Sequence, residues 1–471
     1  MDEKTRQALV DIVGSDNFTE KTIDLVSYSY DASLYDHRPD AAIWASSTEE
    51  ISRIVAIANE NRIPVTARGA GTGLGGLAVA AKGGIVLDVS RMNRILEINI
   101  PDRLVVVQPG VVYADLQAAL APCGFFFPPD PASGVVCTLG GNVGTNAGGL
   151  RGAKYGTTRD YVMGLEVVLA DGEVMRVGSR TMKTSSGYDL CKLFVGSEGT
   201  LGVITEITLK VKPKPAKTAT ALATFRSTED AGETVTRIMQ SEVTPSVLEL
   251  LDKTVISLLR SYADIDLPEV EAVLLVETDG MIESDVQYQL EKLIEMFREC
   301  HALEVETAVN LAEAERLWKA RKGIGGMIGV LPFDCLPEDV TVPMSQIAAF
   351  LKRSQDLARK HDLRLFNFGH VGDGNFHTNI LYDHSDPDQM ARLEPLLYEI
   401  HKLACDLGGT LSGEHGIGMT KAAYMPLEHD PVALKVMRLL KRSLDPNNIL
   451  NPGKMFLDAE PRSDLKSRLS S

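Results

Sequence analysis

The spacing of glycines near residue 70 of this 471-residue chain decides which folds are open to it. Gly71-Thr72-Gly73-Leu74-Gly75-Gly76 fits the G-x-G-x-x-G pattern, and a strand-like run, Ile63 to Ala67, precedes it. That pattern serves a Rossmann unit only when a crossover helix comes next. Here Leu77 to Lys82 alone separate the loop from Gly83-Gly84 and a second strand-like run, Ile85 to Val89. Six residues cannot make a crossover of about ten or more, so the Rossmann reading fails. Backbone N–H groups in such a loop can still cradle a pyrophosphate without a helix. A second cluster places eight glycines within residues 134–156, and a third is Gly196-Ser197-Glu198-Gly199-Thr200-Leu201-Gly202. Ordinary turns account less well for three such clusters than a long cofactor bound through the backbone.

Lys and Arg number 48 against 64 Asp and Glu, a formal charge of −16, which argues against nucleic acid or an anionic membrane surface as partner. No run approaches about 18 apolar residues, and Met1-Asp2-Glu3-Lys4 lacks an apolar signal core. We therefore expect a cytoplasmic protein with no transmembrane segment. Cys123, Cys137, Cys191, Cys300, Cys335 and Cys405 are scattered, with no Cys-x-x-Cys. They read as reduced core thiols and exclude a classical iron–sulfur cluster or zinc ribbon within the chain. If the chain performs redox chemistry, its electrons leave through something it does not encode.

Residues 1–35 read as short helices. Ser47 with Glu50 forms a capping-box signature ahead of Ile51, Ile54, Val55 and Ala58 at helical spacing. Strands are expected over Leu104–Val107 and Val203–Lys210, a helix over Ala114–Leu120, and a hairpin around Asp171-Gly172. Lys212-Pro213-Lys214-Pro215 marks a domain boundary. Beyond it strands alternate with helices, the clearest helix running over 387–407 with Gly408-Gly409 as its stop. We expect an N-terminal helical segment (1–35), a cofactor domain (36–214), a substrate or cap domain (215–420) and a C-terminal segment (421–471).

Chemistry concentrates in two further glycine-rich segments, His370-Val371-Gly372-Asp373-Gly374-Asn375-Phe376-His377-Thr378-Asn379 and Ser412-Gly413-Glu414-His415-Gly416-Ile417-Gly418. Asp373-Gly374 is a hairpin signal; with Gly372 and Asp373 as the loop, His370 lies opposite Asn375 and diagonally from His377. Alternation puts Asn379 on the same face. A lone histidine is usually structural. Two on one face, with an adjacent Glu-His pair further along, point to a metal and proton-transfer site. Glu414 and His415 would face apart on a regular strand, whereas a glycine-flanked loop can deliver both.

Arg68-Gly69-Ala70-Gly71-Thr72-Gly73, Pro109-Gly110, Thr138-Leu139-Gly140-Gly141-Asn142, Gly144-Thr145-Asn146-Ala147-Gly148-Gly149, Lys154-Tyr155-Gly156 and the third glycine cluster occur in this order. Through them residues 39–211 resemble the FAD-binding domain of the vanillyl-alcohol oxidase superfamily. The two histidine-bearing segments and Asn451-Pro452-Gly453-Lys454 resemble the FAD-linked oxidase C-terminal domain. The group resembled comprises the glycolate oxidase flavin subunit, FAD-dependent D-lactate dehydrogenases and D-2-hydroxyglutarate dehydrogenase. The resemblance implies an α+β fold: a two-subdomain FAD-binding domain, an α+β cap domain, and a C-terminus returning to the FAD domain.

It also implies roles. FAD would be held by Arg68, Gly69, Ala70, Gly71, Thr72 and Gly73, by Pro109 and Gly110, and by Thr138, Gly141 and Asn142. Gly144, Thr145, Asn146 and Gly148 continue that set, which Gly202, Val203 and Asn451 complete. Some relatives attach FAD through a histidine in the first loop, but no histidine lies between 38 and 300. Cys137 sits near a flavin-linking position of others and reads here as a packed thiol, so FAD should be non-covalent. His370, His377 and Glu414 match metal ligands suited to zinc, manganese or ferrous iron. His415 matches the catalytic base and Arg321 the arginine that grips the substrate carboxylate, with Asn379, His370 and Glu414 also at the substrate. Lys322 reads as surface charge.

The 2-hydroxyglutarate enzymes carry a lysine just before the run matched by Leu336-Pro337-Glu338-Asp339. Its absence favours a small D-2-hydroxy acid, D-lactate or glycolate. Electrons would pass to an electron-transferring flavoprotein, an iron–sulfur subunit, a cytochrome or a quinone. A non-redox flavoprotein like alkyl-dihydroxyacetone-phosphate synthase is the rival on the same cofactor domain, and its clustered-histidine segment is not apparent. A flavin subunit acting only as a relay is the other rival, against which the complete histidine, asparagine and glutamate set speaks.

Overall fold

The computed structural model describes residues 1–308 and 310–456, so the stretch 457–471 of the expected C-terminal segment lies outside the described residues. The chain folds as two compact units. One takes residues 1–148 and 157–214 and resumes at Glu414; the other takes 149–156 and 215–413.

In the first unit the strands Val65–Arg68 and Ile85–Asp88 pair in parallel, and no helix intervenes between them. The connection is therefore not a Rossmann crossover. Ala41–Trp44 flanks Ile85–Asp88 on its other side, also parallel, and Phe18–Thr19 closes the four-stranded sheet antiparallel. Gly84 makes the entry to Ile85 possible: its φ is +77°, and a Cβ there would stand 2.2 Å from the Pro64 carbonyl oxygen. The helix Thr48–Glu60 starts at Ser47, whose hydroxyl accepts from the Glu50 N–H at 3.2 Å. The reciprocal contact slips by one residue, since the Glu50 carboxylate takes the Ser46 N–H at 2.7 Å. Ile51, Ile54, Val55 and Ala58 are buried against this sheet's core.

A second sheet of this unit is wholly antiparallel. Its order is Ile95–Asn99, Leu104–Val107, Val203–Lys210, Val162–Val168 and Val174–Gly178. Its apolar face packs on Leu116, Leu120 and Phe127. The segment from Glu414 joins this unit, so the cap ends at Gly413 rather than at the expected 420. Hydrogen bonds explain the shift. The Glu198 carboxylate accepts from the Ile417 and Gly418 N–H groups at 2.7 and 2.9 Å, and the Met419 N–H donates to the Gly75 carbonyl at 2.8 Å.

The second unit is built on a seven-stranded antiparallel sheet. Its order is Glu304–Thr307, Lys217–Phe225, Ala272–Gly280, Val247–Asp252, Arg364–His370, Asn375–Tyr382 and Asp334–Thr341. The last is an edge strand, which tolerates Pro337 because one side needs no ladder donor. The helices Lys253–Tyr262 and Leu311–Ile328 cover one face, with Leu259, Leu317, Trp318 and Ile324 packed on Phe366, Phe368, Val247 and Leu251. Gly149–Gly156 belongs here through Tyr155, whose hydroxyl donates to Asp279 at 2.7 Å, and through Lys154, which pairs with the same carboxylate.

Candidate functional site

The glycine clusters of the first unit converge on one open cleft. Its wall includes Arg68 to Gly73, Pro109, Thr138, Gly141, Asn142, Gly144, Thr145, Gly202 and Val203. Two kinds of glycine build it. Some let loops touch: a Cβ on Gly69 would lie 2.1 Å from the Thr138 hydroxyl, and one on Gly140 would lie 2.5 Å from Pro109. Others leave space open. A Cβ on Gly144 meets nothing within 4 Å, and one on Gly141 meets only the Thr138 hydroxyl at 3.4 Å. The buried amide nitrogen of Asn142 finds no hydrogen-bond acceptor among the described residues. Backbone left bare, with an unsatisfied donor on the wall, fits a long polar cofactor such as FAD.

Four expected cofactor residues do not line the cleft. Gly110 packs behind it, where a Cβ would stand 2.4 Å from the Val89 carbonyl. Asn146 caps Leu139–Thr145 in the left-handed region, and its side chain accepts from Arg159 N–H at 2.9 Å. Asn451 donates to the Leu77 and Glu198 carbonyls at 2.9 and 2.7 Å. Gly148 borders Glu414: a Cβ there would lie 3.1 Å from a carboxylate oxygen. The Arg68 guanidinium donates to the Tyr30 carbonyl at 2.8 Å, and burial lowers its pKa. Cys137 is buried in the apolar cluster, and burial raises its thiol.

Two glycines of the first loop, Gly71 and Gly73, differ in what a side chain there would meet. Gly71 has φ +67° and a Cβ there would strike Arg68 at 2.3 Å, so any substitution is strained. Gly73 would meet only Leu77, at 3.4 Å. Gly73→Glu is therefore expected to fold and yet purify without FAD. Full flavin occupancy in that variant, read from its visible absorbance, would give the loop another role.

Glu414 and His415 line the same cleft, delivered by a bend with Gly416 at φ +83° and Gly418 at +50°. Glu198, which anchors this bend, lies on the wall as well. Burial pushes it up to about 7 against the two N–H donors that pull it down.

In the second unit Arg364–His370 and Asn375–Tyr382 form the hairpin in the register read from the sequence, His370 opposite Asn375 and His377 opposite Phe368. The two histidines meet diagonally, Nε2 to Nε2 at 3.3 Å with rings at 89°. Two nitrogens each about 2.0–2.1 Å from one tetrahedral cation stand roughly 3.3–3.4 Å apart, so the pair fits a shared metal. Asn379 is buried, donating to the His377 carbonyl at 3.0 Å.

Arg321 reaches this face from Leu311–Ile328. Its side chain is 14% exposed, its Nε pairs with Glu249, and its guanidinium carbon lies 4.8 Å from the Phe368 ring centre. Lys322 is exposed, in keeping with surface charge. Sequence reasoning misses Glu249. It sits on Val247–Asp252 directly opposite His370, fully buried, with Oε1 2.5 Å from His370 Nδ1. Burial alone would raise it, but His370 and Arg321 together hold it below the usual carboxylate range. The one signal is a carboxylate inside the leucine-rich run Ser246-Val247-Leu248-Glu249-Leu250-Leu251, where charge needs a partner.

Among known families, residues 39–178 match the one described as FAD binding domain, and residues 214–455 match FAD linked oxidases, C-terminal domain. The chain is 43% identical to glycolate oxidase subunit GlcD of Bacillus subtilis (strain 168), over 97% of this chain and 98% of the relative. It is 38% identical to a D-lactate dehydrogenase of Anaerostipes hadrus, over 89% of this chain and 90% of the relative. The solved structure of p-cresol methylhydroxylase with substrate bound shares the fold, with a TM-score of 0.79 at 19% identity over 97% of this chain and 96% of that one. No helix among the described residues is long and apolar enough to cross a membrane.

Proposed function

Because the chain belongs to the FAD-linked oxidases, with an FAD-binding domain ahead of the family's C-terminal domain, we propose that it oxidises a small D-2-hydroxy acid, D-lactate or glycolate, to the 2-oxo acid. The observation that carries this reading is the lining of the glycine cleft, where His415 stands on the wall that would hold the flavin. The residues of the glycine cleft would hold FAD non-covalently, as the acceptor for the hydride on the substrate's alpha carbon. His370, His377 and Glu414 would hold a zinc, manganese or ferrous ion, which would supply Lewis-acid stabilisation of negative charge on the substrate hydroxyl oxygen. His415 would take the hydroxyl proton, as a residue suited to transfer near neutral pH. Arg321 would grip the carboxylate with its terminal nitrogens, and Asn379, His370 and Glu414 would border the substrate. Electrons would leave to a separate acceptor: an electron-transferring flavoprotein, an iron–sulfur subunit, a cytochrome or a quinone. A cytoplasmic location belongs to the same proposal.

Anaerobic stopped-flow spectroscopy tests it. D-Lactate or glycolate should bleach the flavin absorbance directly, and acid denaturation of the same sample should release free FAD. A flavin that responds only to a protein partner would make the chain a relay subunit. Flavin remaining with the denatured polypeptide would refute the non-covalent attachment.

A further inference from the structure

Glu249 has no task in the proton and hydride transfers above, yet it is the side chain joining two of their participants. It is a fully buried carboxylate on a strand whose neighbours on that face, Val247 and Leu251, belong to an apolar cluster. A buried charge persists only when it is paired and hydrogen-bonded. Its two oxygens go to two different partners: Oε1 meets His370 Nδ1 at 2.5 Å, and Oε2 meets Arg321 Nε. An ionised carboxylate only accepts hydrogen bonds, so His370 must carry its proton on Nδ1. Its Nε2 then presents a lone pair toward His377, 3.3 Å away. Arg321 gives Nε to Glu249 and makes no other hydrogen bond among the described residues, so its terminal nitrogens remain available while Phe368 supports the guanidinium plane.

We propose that Glu249 is the positioning residue of this site, holding His370 in the tautomer that can ligate a cation and holding Arg321 by Nε so that its terminal nitrogens face a substrate carboxylate. The inference rests on the metal and carboxylate roles given to His370 and Arg321 above. The substrate grip and the metal ligand then hang on the two oxygens of one carboxylate. A plain buried ion pair would stabilise the unit without selecting a tautomer.

Glu249→Gln separates the two. Arg321 Nε can only donate, so the new amide oxygen must face it. The amide NH₂ then faces His370 Nδ1 and drives the ring proton onto Nε2, where the ligating lone pair was. Calorimetric titration of the FAD-loaded, metal-stripped protein with Mn²⁺ or Zn²⁺ should show affinity weakened about 10–100-fold, the usual effect of removing such an outer partner. At saturating metal, the D-lactate concentration giving half-maximal flavin reduction should change far less, because Arg321 keeps its Nε contact. General loosening of the unit would move both values together and would overturn the proposal, as would wild-type metal affinity in a folded variant. If Glu249→Gln does not fold, Glu249→Asp draws the anion back by one methylene and must also weaken metal binding; wild-type affinity there overturns the proposal equally. A parent protein that takes up no metal would sink the metal reading first and this inference with it.

Discussion

His370→Ala and His377→Ala should each yield a yellow protein without bound metal and with little turnover. The glycine cleft is built entirely within the first unit, whereas both histidines come from the hairpin Arg364–His370 and Asn375–Tyr382 of the second. Flavin content should therefore survive either substitution. Loss of one imidazole from a pair set at 3.3 Å leaves a single nitrogen donor on this face. A cation on the substrate oxygen is worth several kcal/mol of transition-state stabilisation, and each ~1.4 kcal/mol is tenfold in rate. Turnover should thus fall by roughly a hundredfold or more. His377→Ala also removes the ring packed 4.9 Å from Phe368, so a thermal melt must accompany the assay. Metal analysis showing parental occupancy in both variants would end the ligand assignment.

Different parts of this architecture were legible for different physical reasons. The stretch from Leu77 to Lys82 excludes a crossover helix by length alone, and the parallel pair Val65–Arg68 with Ile85–Asp88 indeed forms without one. The hairpin register came from turn chemistry, since Asp373-Gly374 fixes which residues oppose and Gly374 adopts φ +80°. Glu249 could not be placed this way. It lies 121 residues from His370 in the chain, and only the order of strands in the sheet brings them side by side. Gly148 shows another limit. Its glycine-rich context points to the cofactor, but the space it leaves is taken up by Glu414, which no local pattern reveals. Arg321 was singled out by the family resemblance, while its ion pair with a buried carboxylate depends on a helix crossing the sheet face.

That ion pair sharpens what should separate Arg321 from His415. If His415 is the base, His415→Ala should slow flavin reduction by roughly 10²–10⁴-fold, the usual size of a general-base contribution, with substrate affinity changed far less. Arg321→Ala should act on affinity instead, weakening D-lactate binding by about 2–5 kcal/mol, the range for truncating one partner of a buried charge pair. It also strips Glu249 of one of its two cationic or proton-donating neighbours and leaves the carboxylate buried beside His370, so some loss of thermal stability should accompany it. Arg321→Lys should recover binding only in part. One ammonium cannot both pair with Glu249 and present two parallel donors to a carboxylate. Single-turnover reduction at several D-lactate concentrations resolves the limiting rate from the half-saturation value in each variant. An unchanged limiting rate in His415→Ala, with binding intact, would place the base elsewhere. An unchanged half-saturation value in Arg321→Ala would leave the arginine as a structural partner of Glu249 alone.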